Sequence, residues 1–306
     1  MLKMDETQKR ILEEVAGLHD VPMGAYNLRA NGQSVGRAST ENIEITSREG
    51  GLNIRVKDGT KHESVHIPVV LSESGLKEVV YNDFYIGDDC DVLIVAGCGI
   101  DNCGTQDSQH DGVHRFFVGK NSKVKYVEKH YGSGNGTGAR VLNPVTEVEL
   151  GEGSRMELEM TQIKGVDSTE RVTRAKVAAD AHLVVRERLM THGEQRAFSV
   201  YDVSLDGDGS SADVVSRGVA REKSYQKLDM KITGNAACNG HTECDSIIMD
   251  GGKILAVPSL EANCVDAMLV HEAAIGKIAG DQLIKLMTLG LTEAEAEEQI
   301  IAGFLK

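Results

Sequence analysis

Apolar and polar residues alternate along most of this chain, and the alternating stretches recur at nearly fixed intervals. IGDDCDVLIVAG begins at Ile86, VGKNSKVKYVEK at Val118 and LGEGSRMELEMT at Leu150; each is an apolar-Gly step, a polar turn and a strand, and they lie 32 residues apart. VAADAHLVVRER at Val177 and LDGDGSSADVVSRG at Leu205 continue the series at intervals of 27 and 28 residues. A period of this kind marks a solenoid, in which each unit buries its apolar face only by stacking on its neighbours. The units contain period-2 strands and no helical pattern, so the expected fold is mainly β: a right-handed parallel β-helix with Val, Ile, Leu and Met stacked inward. A β-sandwich is the competing fold and needs hairpins, but Asp58-Gly59, Asp206-Gly207 and Asp208-Gly209 read as loops.

The pattern divides the chain into three regions. Residues 1–64 hold a helix from Asp5 to Leu18, with Ile11, Leu12, Val15 and Leu18 at helical spacing and Asp5 or Thr7 as cap. A polar, Gly-containing loop follows, and then NIEITSREGGLNIRVKDG, a hairpin centred on Gly50-Gly51. Residues 65–275 form the β-helix core. In residues 276–306 a first helix carries Ile278, Leu283, Ile284 and Leu286 or Met287 and is closed by Gly290. A second starts at a Thr292/Glu295 capping box and carries Ala294, Ala296, Ile300, Ile301 and Phe304. The pair is expected to cap the open end of the β-helix.

Composition narrows the function. At 306 residues the chain is long enough for a full core, and with no Trp and few Phe and Tyr that core is expected to be aliphatic. A net charge of −14 and the lack of any basic run argue against nucleic-acid binding. No apolar run approaches the roughly 20 residues needed to cross a bilayer, and Asp5, Glu6, Lys9 and Arg10 replace an apolar signal core. A cytoplasmic location is expected, with the six cysteines as thiols or metal ligands. There is no G-x-x-x-x-G-K-[ST]; GSGNGTGAR from Gly132 lacks its Lys-Ser/Thr end and reads as a flexible loop. Any nucleotide must come with a partner.

The candidate chemistry lies late in the chain, where Cys244, Cys264, His271 and Glu272 supply side-chain types that hold iron or zinc. Thr242, Cys244 and Ser246 share one strand face. His271 and Glu272 are adjacent, so on a regular strand they face opposite ways, and only a bend brings both to one ion. Cys238 precedes Cys244 by an even number of residues but is separated from it by Asn239-Gly240.

TECDSIIM, HEAAIGKIAGDQL and GLTEAEAEEQIIAGF resemble the C-terminal core of the SufB/SufD family, scaffold subunits of an iron-sulfur cluster assembly machine, and the resemblance reaches back to about Ala96. It implies the β-helix. It also implies that this is a non-enzymatic scaffold, SufB-like because both Cys244 and Glu272 are present, on which a nascent cluster of unspecified type is held by Cys244, Glu272 and His271. Cys264 stands where the family does not reliably place a cysteine and is a candidate to complete the ligand set by its own chemistry. VAGCGIDNCGTQDSQHDGVHRFFVG resembles the segment whose cysteine accepts persulfide sulfur, which points to Cys98. Here Ala96 replaces that segment's glutamate, and Gly99 to Gly104 replace its Ala-Pro, creating a Cys98/Cys103 pair. The family's polar path from entry cysteine to cluster cysteine implies roles for Lys125, Lys129 and His130. The C-terminal helices imply docking of a SufC-like ABC-type ATPase through Gln282, Leu283, Leu286, Gly290, Leu291, Ile300 and Phe304. The remaining expectations are a homodimer, a sulfur donor and recipient apo-proteins. Two alternatives stand: a SufD-like adaptor that binds no cluster, and a β-helix carbohydrate enzyme using Asp206, Asp208 and Asp213.

Overall fold

The strands stack into two long sheets that face each other across one interior. The computed structural model describes residues 4–306 and shows a β-solenoid of about eight turns. The chain crosses from one sheet to the other with nearly every strand. The first sheet carries Asp91–Asp101, Lys123–Ser133, Arg155–Lys164, His182–Thr191, Ser211–Ala220, Asn239–Ile248 and Met268–Gly276 in parallel order. The second carries Lys77–Ile86, Ser108–Val118, Ser168–Val177, Arg196–Leu205, Tyr225–Gly234 and Lys253–Ala262, with the short Arg140–Leu142 and Val145–Leu150 completing it.

The register explains the repeat. Asp91 pairs with Lys123 and Lys123 with Arg155, a step of 32 residues; Arg155 pairs with His182, a step of 27. The repeat length read from the sequence is therefore the length of one coil. Each coil turns its corner through a left-handed residue: Gly59, Asp89, Asn121, Gly153, Asp180 and Gly209, with φ between 53° and 73°. Gly, Asn and Asp tolerate that conformation best. Each corner amide donates to the next coil's carbonyl, from Gly59 to Asp88 through Gly209 to Ala237.

The core is mostly aliphatic, as expected, with an aromatic group of Phe84 stacked on Phe116 at 4.5 Å and Tyr126 edge-on to Phe116 at 5.1 Å, and with Tyr201 buried apart from it. Helix α1, Glu6–Ala16, begins at a capping box between Asp5 and Gln8 and ends at left-handed Gly17. It buries Ile11, Leu12 and Val15 on the outer face of the first sheet. Gly97 and Gly99 make this approach possible, because a Cβ at Gly99 would lie 2.1 Å from Ile11 Cγ2.

Three expectations change. The stretch read as a polar loop contains a second hairpin, Ala25–Ala30 with Gln33–Ala38, turning at Asn31-Gly32, both at positive φ. That Asn-Gly pair was the available signal. The GSGNGTG loop is held in place: Gly136 and Gly138 amides donate to Asn102 and Gly104 carbonyls, and side chains at Gly134, Gly136 or Gly138 would collide with the backbone beneath. The C-terminal helices do not cap the open end. Helix α2 is Gly280–Thr288 and helix α3 is Glu293–Phe304; Ile301 and Leu305 pack with Ile163, Met190, Val219 and Ile247, which belong to successive strands of the first sheet. The α3 end thus lies along the flank of the coils. Arg188 and Arg217 fasten it by donating to the carbonyls of Lys306 and Phe304.

Gly99→Leu is expected to lower unfolding stability by about 1–3 kcal/mol, the usual cost of overpacking, by forcing α1 off the sheet. Urea unfolding reads the loss; an unchanged midpoint would mean that α1 contributes no close packing there.

Candidate functional site

Side chains on a strand alternate between interior and surface, so in-register residues of parallel strands form inward columns. One such column is Ala96, Glu128, Met160, Glu187, Ser216, Cys244 and Ala273. Cys98 stands in the next column, beside His130. Between Cys98 and Cys244 lie five strand-to-strand steps, Asp91–Asp101 through Asn239–Ile248, roughly 24 Å at about 4.8 Å per step.

Polar side chains fill that interval. The Cys98 thiol is acted on by both His110, from the opposite sheet, and His130, its in-register neighbour. His130 Nε2 is 3.6 Å from Glu128 Oε1, and the Tyr126 hydroxyl donates to the same oxygen at 3.0 Å. Arg171 enters from the opposite sheet, donates to Glu128 and lies 3.6 Å from Glu187. Glu187 accepts from Ser199 and Ser216 hydroxyls, both at 2.6 Å. Ser216 is the in-register neighbour of Cys244. Glu128, His130, Arg171 and Glu187 are all under 5 % exposed. Charges buried this deeply are retained only when paired.

The two cysteines differ electrostatically. Burial pushes the Cys98 thiol up, but the charge and hydrogen bonds of His110, and then those of His130, outweigh it and bring it down to about 7. Burial pushes the Cys244 thiol up, Ser246 opposes this weakly, and the Glu187 carboxylate adds to the rise. Cys98 is suited to act as a nucleophile, whereas Cys244 is held towards the neutral thiol, which would have to give up its proton to ligate a metal.

At the end of the column the expected ligands divide. Cys244 and His271 both face inward on adjacent strands; His271 Nδ1 lies 2.6 Å from Thr242 Oγ1, and its buried Nε2 has no hydrogen-bond partner. Burial lowers the His271 pKa, assisted by His241, which favours the neutral, ligating form. Glu272 pairs in register with Glu243 and faces outward. There His241, Glu243 and Glu272 bring ligand atoms within 4.8 Å of one another. Asp213 accepts from His241 Nδ1 at 2.7 Å, which leaves Nε2 for Glu272 at 3.9 Å. A carboxylate behind a ligating histidine is a common metal-site arrangement. Partial burial and the Asp245 carboxylate push Glu243 up, a repulsion that a cation would relieve.

Cys264 is not brought to Cys244. It lies in the corner between Lys253–Ala262 and Met268–Gly276, beside Cys238, and Cys238 is six residues, roughly 20 Å of extended chain, before Cys244. Cys98 and Cys103 are also separate: Cys98 is buried, while Cys103 is exposed and hydrogen-bonds Asp101. Lys125 and Lys129 point outward to Glu159 and Glu14, so of the three expected path residues only His130 is inside. Sequence reading missed His110, Glu128, Arg171, Glu187, His241 and Glu243. Charged residues at inward positions of the 32-residue repeat were the signal available for the buried four.

The sequence pattern of the family described as SUF system FeS cluster assembly, SufBD core domain, matches residues 104–252 and 234–304. The chain belongs to this SufBD family. An iron-sulfur cluster assembly SufBD family protein of Methanothermobacter thermautotrophicus is 28 % identical over 275 residues, 88 % of this chain and 65 % of that protein. This SufBD chain therefore spans about two thirds of that relative's length. Relatives from Methanocaldococcus jannaschii, 28 % identical over 86 % of this chain and 84 % of their own, and Pyrococcus horikoshii, 27 % over 96 % and 84 %, carry the same family description. The family is described as one of iron-sulfur cluster assembly. No helix among the described residues is long and apolar enough to cross a membrane.

Buried neutral His114 supplies a pH test. Burial lowers its pKa from 6.5 to about 4, so unfolding takes up a proton between those values. Stability therefore rises with pH across that window and is lost as pH falls through it, by up to about 3 kcal/mol for this group. His114→Gln should flatten the acid limb of the stability–pH curve between pH 6 and 4.5; an unchanged limb would contradict a neutral buried His114.

Proposed function

We propose that this chain is a scaffold on which an iron-sulfur cluster is built as cargo, working with a SufC-like ABC-type ATPase and passing the cluster to apo-proteins. The observation that carries this reading is the line of buried polar and charged side chains from Cys98 to Cys244 beside the solenoid's mostly aliphatic core. Interior charge is costly, and well-packed apolar side chains commonly stabilise a core as well or better. In this reading the Cys98 thiolate attacks the outer sulfur of a donor's persulfide. The donor S–S bond breaks, a new one forms at Cys98, and the donor cysteine leaves as thiolate. Net transfer along the interior breaks the S–S bond at Cys98, which leaves as thiolate and takes up the proton lost by the Cys244 thiol, and forms a new S–S bond at Cys244, with no net redox change. Iron is gathered at the end of the solenoid, with Cys244 and His271 as inner ligands and Glu272, supported by His241 and Glu243, on the outer face.

The last coil supports a homodimer. Strands Lys253–Ala262 and Met268–Gly276 are the unpaired edges of the two sheets, and Leu255, Leu260, Val265, Met268, Val270 and Ile275 around them are exposed. Open edges with apolar side chains favour pairing with a second copy, which would place two iron sites at one isologous interface. The ATPase is assigned to α2 and the neighbouring α3 surface. No α2 residue is buried, and Ile284, Met287 and Leu289 are exposed beside Gln282, Leu283, Leu286, Gly290, Leu291, Ile300 and Phe304.

Anaerobic addition of ferrous iron and sulfide to the chain co-purified with its ATPase, read by Mössbauer spectroscopy, is expected to give a stoichiometric cluster. Cys244→Ser should retain about a tenth or less, and Glu272→Gln should lower iron uptake several-fold. Wild-type protein that grips the ATPase yet takes up no iron would overturn the scaffold reading in favour of the adaptor. Light scattering is expected to give twice the 33.0 kDa chain mass, falling to the chain mass in Val270→Asp. A wild-type monomer both with and without the ATPase would contradict the dimer.

A further inference from the structure

The Cys98 end of the buried line has a second carboxylate that plays no part in the path. Glu78, on strand Lys77–Ile86, is the in-register neighbour of His110 and faces the same interior. Its Oε1 is 3.0 Å from His110 Nδ1, and its Oε2 accepts from Arg29 Nη2 at 2.9 Å. Arg29 in turn donates at 2.8 Å to the carbonyl of Gly32, in the turn of the N-terminal hairpin. His110 is 2 % exposed and Cys98 is 5 % exposed. With Nδ1 engaged by Glu78, His110 has only Nε2 left for the cysteine.

We propose that Glu78 is a positioning residue: with Arg29 it fixes the orientation of His110 and stabilises its imidazolium, so that His110 takes the Cys98 proton and holds Cys98 as a thiolate. A nucleophilic cysteine, a histidine base and a carboxylate orienting that base make the same arrangement that activates cysteine nucleophiles elsewhere. The balance is one proton: the S–H bond of Cys98 breaks and an N–H bond forms at Nε2. The use of this thiolate for sulfur acceptance rests on the reading above; its formation does not. The other groups facing the pair are His130 beside Cys98 and Tyr126 and His114 in the interior; Arg10 and Asp101, paired at 2.9 Å, lie on the outer face of the same strand, where α1 packs. Of these, His130 also favours the thiolate and belongs to the Glu128 pair, so its effect should survive loss of Glu78.

The test is a thiolate titration by absorbance at 240 nm, taken as the difference between the full chain and its Cys98→Ser variant. Wild type is expected to be about half ionised near pH 7. In Glu78→Gln, the thiolate fraction at that pH should fall about five-fold or more, equivalent to a midpoint raised by about one pH unit. Arg29→Met should move the midpoint in the same direction by less. An unmoved midpoint in folded Glu78→Gln overturns the proposal. If that variant does not fold, nitrogen-15 spectra of the wild-type imidazoles decide: His110 protonated on both nitrogens at pH 8, and losing that state in Cys98→Ser, supports the proposal, whereas a neutral His110 at pH 8 overturns it. Iron uptake does not enter either readout, so failure of the scaffold reading and failure of this proposal are separable.

Discussion

A guanidinium held between two carboxylates inside a β-solenoid is the interaction on which the interior depends. Arg171 contacts Glu128 on one coil and lies near Glu187 on another, spanning the Met160 position between them. Burial opposes its charge, and the Glu128 carboxylate and other anionic neighbours more than offset that cost. Removing one partner of such a set leaves a buried charge without compensation, commonly a loss of about 3–5 kcal/mol. The network therefore fixes the register of these coils as well as their polarity. Ser199 and Ser216 extend it, and they supply the hydroxyls that bring it to the strand next to Cys244.

The same solenoid gives its two buried cysteines opposite characters. Cys98 lies between imidazoles whose cationic forms are supported by Glu78 on one side and Glu128 on the other. Cys244 lies beyond the last cation, with Glu187 as the nearest strong charge in its column. A lowered thiol pKa at one end and a raised one at the other follow from where charges fall along a periodic interior. The fold permits it because each coil adds one inward position to a column, and the column crosses the molecule without leaving the core.

Much of the architecture was legible in the sequence because a coil length is a sequence period. The step from Ile86 to Val118 to Leu150 predicted the pairing of Asp91, Lys123 and Arg155, and the Thr292/Glu295 capping box marked α3. The opposite faces of His271 and Glu272 followed from strand geometry alone. What was not legible depends on contacts across the interior. Nothing local distinguishes outward Lys129 from inward His130 until the register is known, and nothing local shows that Arg171 reaches strands 43 and 16 residues away in sequence. Cys264 was grouped with Cys244 by closeness in sequence, but a corner directs it towards Cys238. The position of α3 on the flank was equally hidden, since its apolar stripe fits either an end or a side.

In the proposed function, sulfur entering at Cys98 reaches Cys244 through the interior of a single chain. Loading Cys98 with radiolabelled persulfide in anaerobic protein, removing the donor, and mapping the label by peptide at successive times tests it directly. The account predicts that label leaves the Cys98 peptide and appears on the Cys244 peptide in wild type, and stays at Cys98 in a folded Ser216→Phe variant that closes the line. Equal transfer in both proteins, or transfer abolished by a low-molecular-weight thiol trap in solution, would contradict an interior route.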